Sequence, residues 1–163
     1  CSIGDVCRVG GEVEESIFHG YSNKYHDGFI GHSYAGEWVN MGAMTTCSDL
    51  KNNYSHVIVT MPWGKQDTGM SKLGCFIGDC AKTSIGTLIN TGAVIGTGTM
   101  VVHSGGLTPR HIPPFHWYID GEVVSRDWLD DFIITCKRAM SRRDVRFSPE
   151  MERMYRNLFS ATG

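Results

Sequence analysis

Ile77-Gly78-Asp79-Cys80-Ala81-Lys82-Thr83-Ser84-Ile85-Gly86-Thr87-Leu88-Ile89-Asn90-Thr91-Gly92-Ala93-Val94-Ile95-Gly96-Thr97-Gly98-Thr99-Met100-Val101 is the stretch on which the fold turns. Steps of six from its first residue meet Ile77, Thr83, Ile89, Ile95 and Val101, all but one aliphatic. Three places after each anchor stand Cys80, Gly86, Gly92 and Gly98; one place further stand Ala81, Thr87, Ala93 and Thr99, all small. A strand alternates side chains with period two and a helix with about 3.6, so neither produces a period of six carried in two registers. A triangular solenoid does. Each side is a short flat strand with one residue pointing inward, and glycine and small residues let the backbone turn each corner. The stretch therefore predicts an all-β solenoid: a left-handed parallel β-helix of hexapeptide repeats.

Toward the N-terminus a looser run, Phe29, Ala35, Met41 and Cys47, keeps the spacing, with Gly36 and Gly42 directly after two anchors. Ile3-Gly4 and Val9-Gly10 form a third fragment, and a phase slip between Val9 and Ile17 predicts a bulge or small insertion. Residues 50–74 break the period. They contain a short β-like stretch from His56 to Met61 and a Pro62/Gly64/Gly69 loop, and a loop projecting from a rigid scaffold is a usual place for binding residues. The β-helix is thus expected over residues 1–104 with 50–74 as an insertion.

Residues 105–163 read as a cap and a C-terminal helical extension. Gly105 to Gly121 is rich in proline and aromatics and is expected to cover the open end of the solenoid, where strand edges would otherwise be bare. Ser125 can cap a helix running to about Arg142 with Trp128, Phe132, Ile133, Cys136 and Met140 on one face. Ser148-Pro149-Glu150 signals a second helix to about Phe159, with Met151, Met154, Tyr155 and Leu158 as its apolar set. Lys137, Arg138, Arg142 and Arg143 read as a solvated face with a favourable helix-dipole interaction.

Composition narrows the classes of function. A net charge of −2 supplies no basic surface for nucleic acid. No run approaches the roughly 18 apolar residues of a membrane span, and no secretory leader is visible. The cysteines lack a close CxxC pair, and Cys47 and Cys75 fall at repeat positions as small hydrophobes, which fits a reducing, cytoplasmic setting. The chain opens on Cys1 inside a repeat and reads as a piece of a longer protein.

The less regular stretch carries the chemistry. His26 is followed fourteen positions on by Asn40 within Val39-Asn40-Met41-Gly42-Ala43-Met44-Thr45, and then by Ser48-Asp49-Leu50-Lys51-Asn52-Asn53-Tyr54. This pattern resembles the acetyltransferase domain of bifunctional glucosamine-1-phosphate acetyltransferase/sugar-1-phosphate nucleotidyltransferases over roughly residues 12–105. The resemblance implies a homotrimer with sites in the clefts between subunits. It implies His26 as catalytic base, Asn40 at the sugar and thioester, and Lys24, Asp49 and Lys51 at the sugar phosphate. It also implies acetyl-CoA as acyl donor lying along the solenoid near Asp79 and Thr97, an acceptor that is a sugar phosphate or sugar nucleotide, and a nucleotidyltransferase in the parent chain. Histidine suits deprotonation of an amine because its pKa lies near the working pH. Phe29 stands where the family has tyrosine, and Asp49 where it has asparagine. Those departures favour a second reading, a non-catalytic trimerisation or sugar-nucleotide-binding domain. His32 is expected to be structural. No metal site is expected, because the five-apart pair His111 and His116 lies in the Pro-rich segment and the six-apart pair His26 and His32 lacks a downstream partner set.

Overall fold

The structure, a computed structural model, describes residues 1–102 and 104–162. It is a left-handed parallel β-helix with two helices docked along one edge. One side of the prism is a six-stranded parallel sheet in which Ile3, Phe18, Ala35, Ile77, Ile95 and Ile112 stack coil upon coil. Except at Ile3, exposed in the first coil, their inward side chains meet those of the other two sides, among them Ile30, Met41, Cys47, Ile89, Val101 and Tyr118, in one continuous core. The four positions read as corners, Cys80, Gly86, Gly92 and Gly98, all have left-handed backbone, with φ of 61°, 73°, 68° and 67°. Three are glycine because that region costs a side-chain-bearing residue about 1 kcal/mol or more.

The register differs from the sequence reading in the early coils. Ile30, fully buried, is the anchor, and Phe29 points outward. His32, at φ 48°, turns the next corner one residue early, so the step from Ile30 to Ala35 is five residues and not six. The slip after Val9 is likewise a shortening and not an insertion: Gly11, at φ 68°, turns the corner between Val9 and Val13. Toward the C-terminus the solenoid also runs further than the repeat reading. His111–Ile112 pairs in parallel with Val94–Ile95, and Trp117–Ile119 with Met100–Val101, before Glu122–Val124 folds back antiparallel. Ile112 and Tyr118 keep the six-residue step and are buried, so the Pro/aromatic segment forms a coil as well as closing the end.

The insertion leaves and rejoins its coil at the Leu50–Lys72 bridge and forms an antiparallel hairpin, Ile58–Met61 with Gly64–Asp67. Helix α1 spans Leu129–Ser141 and α2 spans Pro149–Thr162. The Ser148 hydroxyl accepts from the Met151 amide at 3.2 Å, as the start signal predicts. Ser125 does not cap α1. The strand at Glu122–Val124 holds the chain extended there, and Trp128 takes the N-cap position with its indole N–H donating to the Phe115 carbonyl at 2.7 Å.

The docking of α1 explains a second column of corner residues. Val6, Tyr21, Trp38, Cys80, Gly98 and Phe115 all have positive φ and stack along one edge of the prism. Trp38, Cys80 and Phe115 pack with Phe132, Ile133, Cys136, Met140 and Tyr155 of the helices into a second core. The left-handed corners project these side chains outward as a ridge for the helices, which offsets the backbone cost by burial. A Cβ at Gly98 would come within 3.0 Å of the Phe132 ring, so that position must stay bare. Among the described residues no helix is long and apolar enough to cross a membrane.

Candidate active site

Two outer faces of the prism differ in chemistry. Outside the six-stranded sheet the ladder runs Ile17, Tyr34, Phe76 and Val94, apolar and partly exposed. On the next side it runs Arg8, Asn23, Asn40 and Lys82, polar over these four coils, before passing to Met100 and Trp117. Helix α1, seated on the intervening edge, overhangs that polar ladder. Between them lies a cavity of about 650 Å3. Its floor is the polar ladder, its edge the stacked rings of Tyr21 and Trp38 (centroids 4.3 Å apart), and its roof Thr135, Arg138, Ala139, Arg142 and Arg143. Tyr25, His26 and Gly42 lie on its far side.

His26 and Asn40 thus line one cavity. A polar chain links Asn40 to the roof. The Arg143 guanidinium donates to Asn23 Oδ1 at 3.3 Å, and Asn23 Nδ2 donates to Asn40 Oδ1 at 3.3 Å. The His26 ring is exposed, with the Tyr25 ring edge-on at 5.3 Å.

Lys24 is not a phosphate anchor. It occupies the inward position of its strand, 1% exposed, and its ammonium donates to the carbonyls of Gly10, at 2.9 Å, and His26. It therefore fixes the backbone of His26 from inside the coil. Desolvation is the main cause of a pKa below the ordinary 10.5, partly opposed by the charge of Asp27. Just below pH 10.5 the folded protein holds fewer protons than the unfolded chain, so this group makes stability rise with pH there. Wild type is accordingly expected to gain stability relative to Lys24→Met between neutral pH and about pH 10. Urea midpoints at the two pH values check it; a wild-type-minus-variant difference that stays constant or falls as pH rises contradicts the buried ammonium.

The other sequence candidates lie outside the cavity. Asp49 is buried against His32, Oδ2 to Nδ1 at 2.8 Å, while His32 Nε2 meets Glu15 at 3.1 Å. Three stacked coils thereby form an acid–histidine–acid ladder, which gives His32 the structural pairing expected of it. Glu14, His32 and Asp49 also bring possible ligand atoms within 4.8 Å of one another, a cluster that histidine spacing does not display because its other two members are carboxylates one coil to either side of His32. The Lys51 ammonium donates to the His56 carbonyl at the base of the insertion. Asp79 and Thr97 occupy equivalent positions in adjacent coils, and Asp79 Oδ1 accepts from the Glu37 amide at 2.8 Å.

Fold and cavity define a hexapeptide-repeat β-helix with a histidine-bearing, cation-rich cleft under a docked helix. No family model matches the chain. It is similar to the bifunctional sugar-1-phosphate nucleotidylyltransferase/acetyltransferase of Sulfurisphaera tokodaii, 35% identical over 85 residues, and to the bifunctional protein GlmU of Methanococcus maripaludis, 32% identical over 90 residues. These matches take in 52% and 55% of the chain but 21% and 22% of the relatives, so the shared part is about a fifth of their length. The chain is thus homologous, over about half its length, to bifunctional enzymes that join nucleotidyl and acetyl transfer.

Proposed function

We propose that this chain is an acyltransferase domain that moves an acetyl group from a CoA thioester to the amine of an amino-sugar phosphate. The observation that carries the proposal is the convergence of His26 and Asn40 on the cationic cavity. Acetyl-CoA supplies the activated acyl carbon, and the wall beside Asp79 and Thr97 is where it would lie. His26 removes a proton from the acceptor ammonium. The free amine then attacks the thioester carbon; a C–N bond forms as the C–S bond breaks, and the departing thiolate takes up a proton. General-base assistance of this kind contributes about 10²–10⁴ in rate. Asn40, tied to Asn23 and Arg143, orients the acceptor beside the histidine.

The working form in this proposal is a homotrimer in a reducing, cytoplasmic setting, a setting that six free thiols support. The apolar ladder of Ile17, Tyr34, Phe76 and Val94 supports association between copies. Sedimentation is expected to give three times the 18.1 kDa chain mass. The functional test is thiol release from acetyl-CoA across a panel of hexosamine 1-phosphates, with the corresponding hexose 1-phosphates as controls. Release that needs the amine supports acetyl transfer. Inertness across the panel leaves the second reading, a trimerisation or sugar-nucleotide-binding domain, which the loss of a hydroxyl at Phe29 favours.

A further inference from the structure

Five cations converge on the cavity from two sides: Arg8 and Lys82 from the solenoid face, Arg138 from α1 and Arg142 and Arg143 from the turn that ends it. No carboxylate is among the lining residues, and none of the five forms an ion pair among the described residues. Lys137, the fourth base of the same helical cluster, is directed elsewhere and pairs with Glu152 at 2.7 Å. Arg8, Arg138 and Arg142 are exposed and Lys82 and Arg143 half-buried, and placing cations on facing sides of one cleft costs like-charge repulsion that a bound anion would relieve. In a chain of net charge −2 such a concentration is a local arrangement with no counter-charge of its own.

We propose that Arg138 and Arg142, with Arg8, Lys82 and Arg143, form a binding site for a phosphomonoester group. Guanidinium forks match the oxygens of such a group, and the lysine adds a point charge. The aromatic edge of Tyr21 and Trp38 gives the rest of the ligand an apolar surface. The site deepens the acyl-transfer reading, on which the choice of acceptor rests: a sugar phosphate seated here has His26 and Asn40 lining the same cavity. The same chemistry is carried by the 3′-phosphate of a CoA donor, and binding experiments separate the two sources.

Titration calorimetry on the intact protein would use glucosamine 1-phosphate, adenosine 3′,5′-bisphosphate and unphosphorylated glucosamine as probes. Wild type is expected to bind at least one of the two phosphates, more weakly as salt rises, and to show no heat with glucosamine. Whichever phosphate binds identifies the source. Each lost charge-assisted contact costs about tenfold in affinity, so Arg138→Ala/Arg142→Ala is expected to weaken binding about a hundredfold. Lys82→Ala, on the opposite wall, should weaken it about tenfold, and Lys137→Ala should leave it unchanged. The site is overturned if wild type binds neither phosphate, if the double variant and Lys82→Ala both bind as wild type does, or if Lys137→Ala loses as much as they do. Phosphate binding without acetyl transfer would leave the site standing and remove the acyltransferase reading.

Discussion

Replacing His26 by alanine is expected to lower the rate of acetyl transfer by about 10²–10⁴ at saturating substrates. The amine of a hexosamine is protonated near neutral pH and is then no nucleophile, so a base must take its proton before the thioester can be attacked. His26 is the histidine on the cavity that also holds Asn40 and the five cations. Because the acceptor phosphate is assigned to other side chains, the loss should fall on kcat and leave KM for the acceptor nearly unchanged. Steady-state kinetics of wild type and variant check this split. Equal losses in both parameters, or none, would remove His26 from the chemistry.

Ile95→Ala is expected to destabilise the protein by about 2–5 kcal/mol. Ile95 is 1% exposed and stacks between Ile77 and Ile112 on neighbouring coils. A solenoid is held by contacts between adjacent repeats, so a cavity at one coil loosens both interfaces, and little in a flat-sided prism can collapse to fill it. The comparison variant is Ile85→Ala, 72% exposed, which should cost within about 0.5 kcal/mol. Urea denaturation of the two, side by side, reads the difference.

The stretch from Ile77 to Val101 disclosed the architecture because inward position and corner each leave their own mark every six residues. Where a corner is shortened, as at Gly11 and His32, the marks shift, and Phe29 is mistaken for the anchor that Ile30 provides. Lys24 sits at an inward position, six from both Phe18 and Ile30, but a lysine there does not read as core, since its burial depends on two backbone carbonyls that no side-chain pattern displays. The column of Tyr21, Trp38, Cys80 and Phe115 was equally hidden: aromatic and thiol side chains at left-handed corners make sense only once α1 is seen to rest on them. The same docking turns three arginines of a helical cluster toward the solenoid, a consequence of tertiary packing that charge counting along one helix could not supply. His26 and Asn40 entered through the resemblance; fourteen residues apart, they lie on consecutive coils and line one cavity.

Mass spectrometry of a reaction containing the protein, acetyl-CoA and glucosamine 1-phosphate tests the central claim most directly. The account predicts an N-acetylated sugar phosphate and an equal amount of free CoA with wild type, and neither above background with His26→Ala. CoA released without an acetylated sugar, or the same product in equal yield from both proteins, would contradict it.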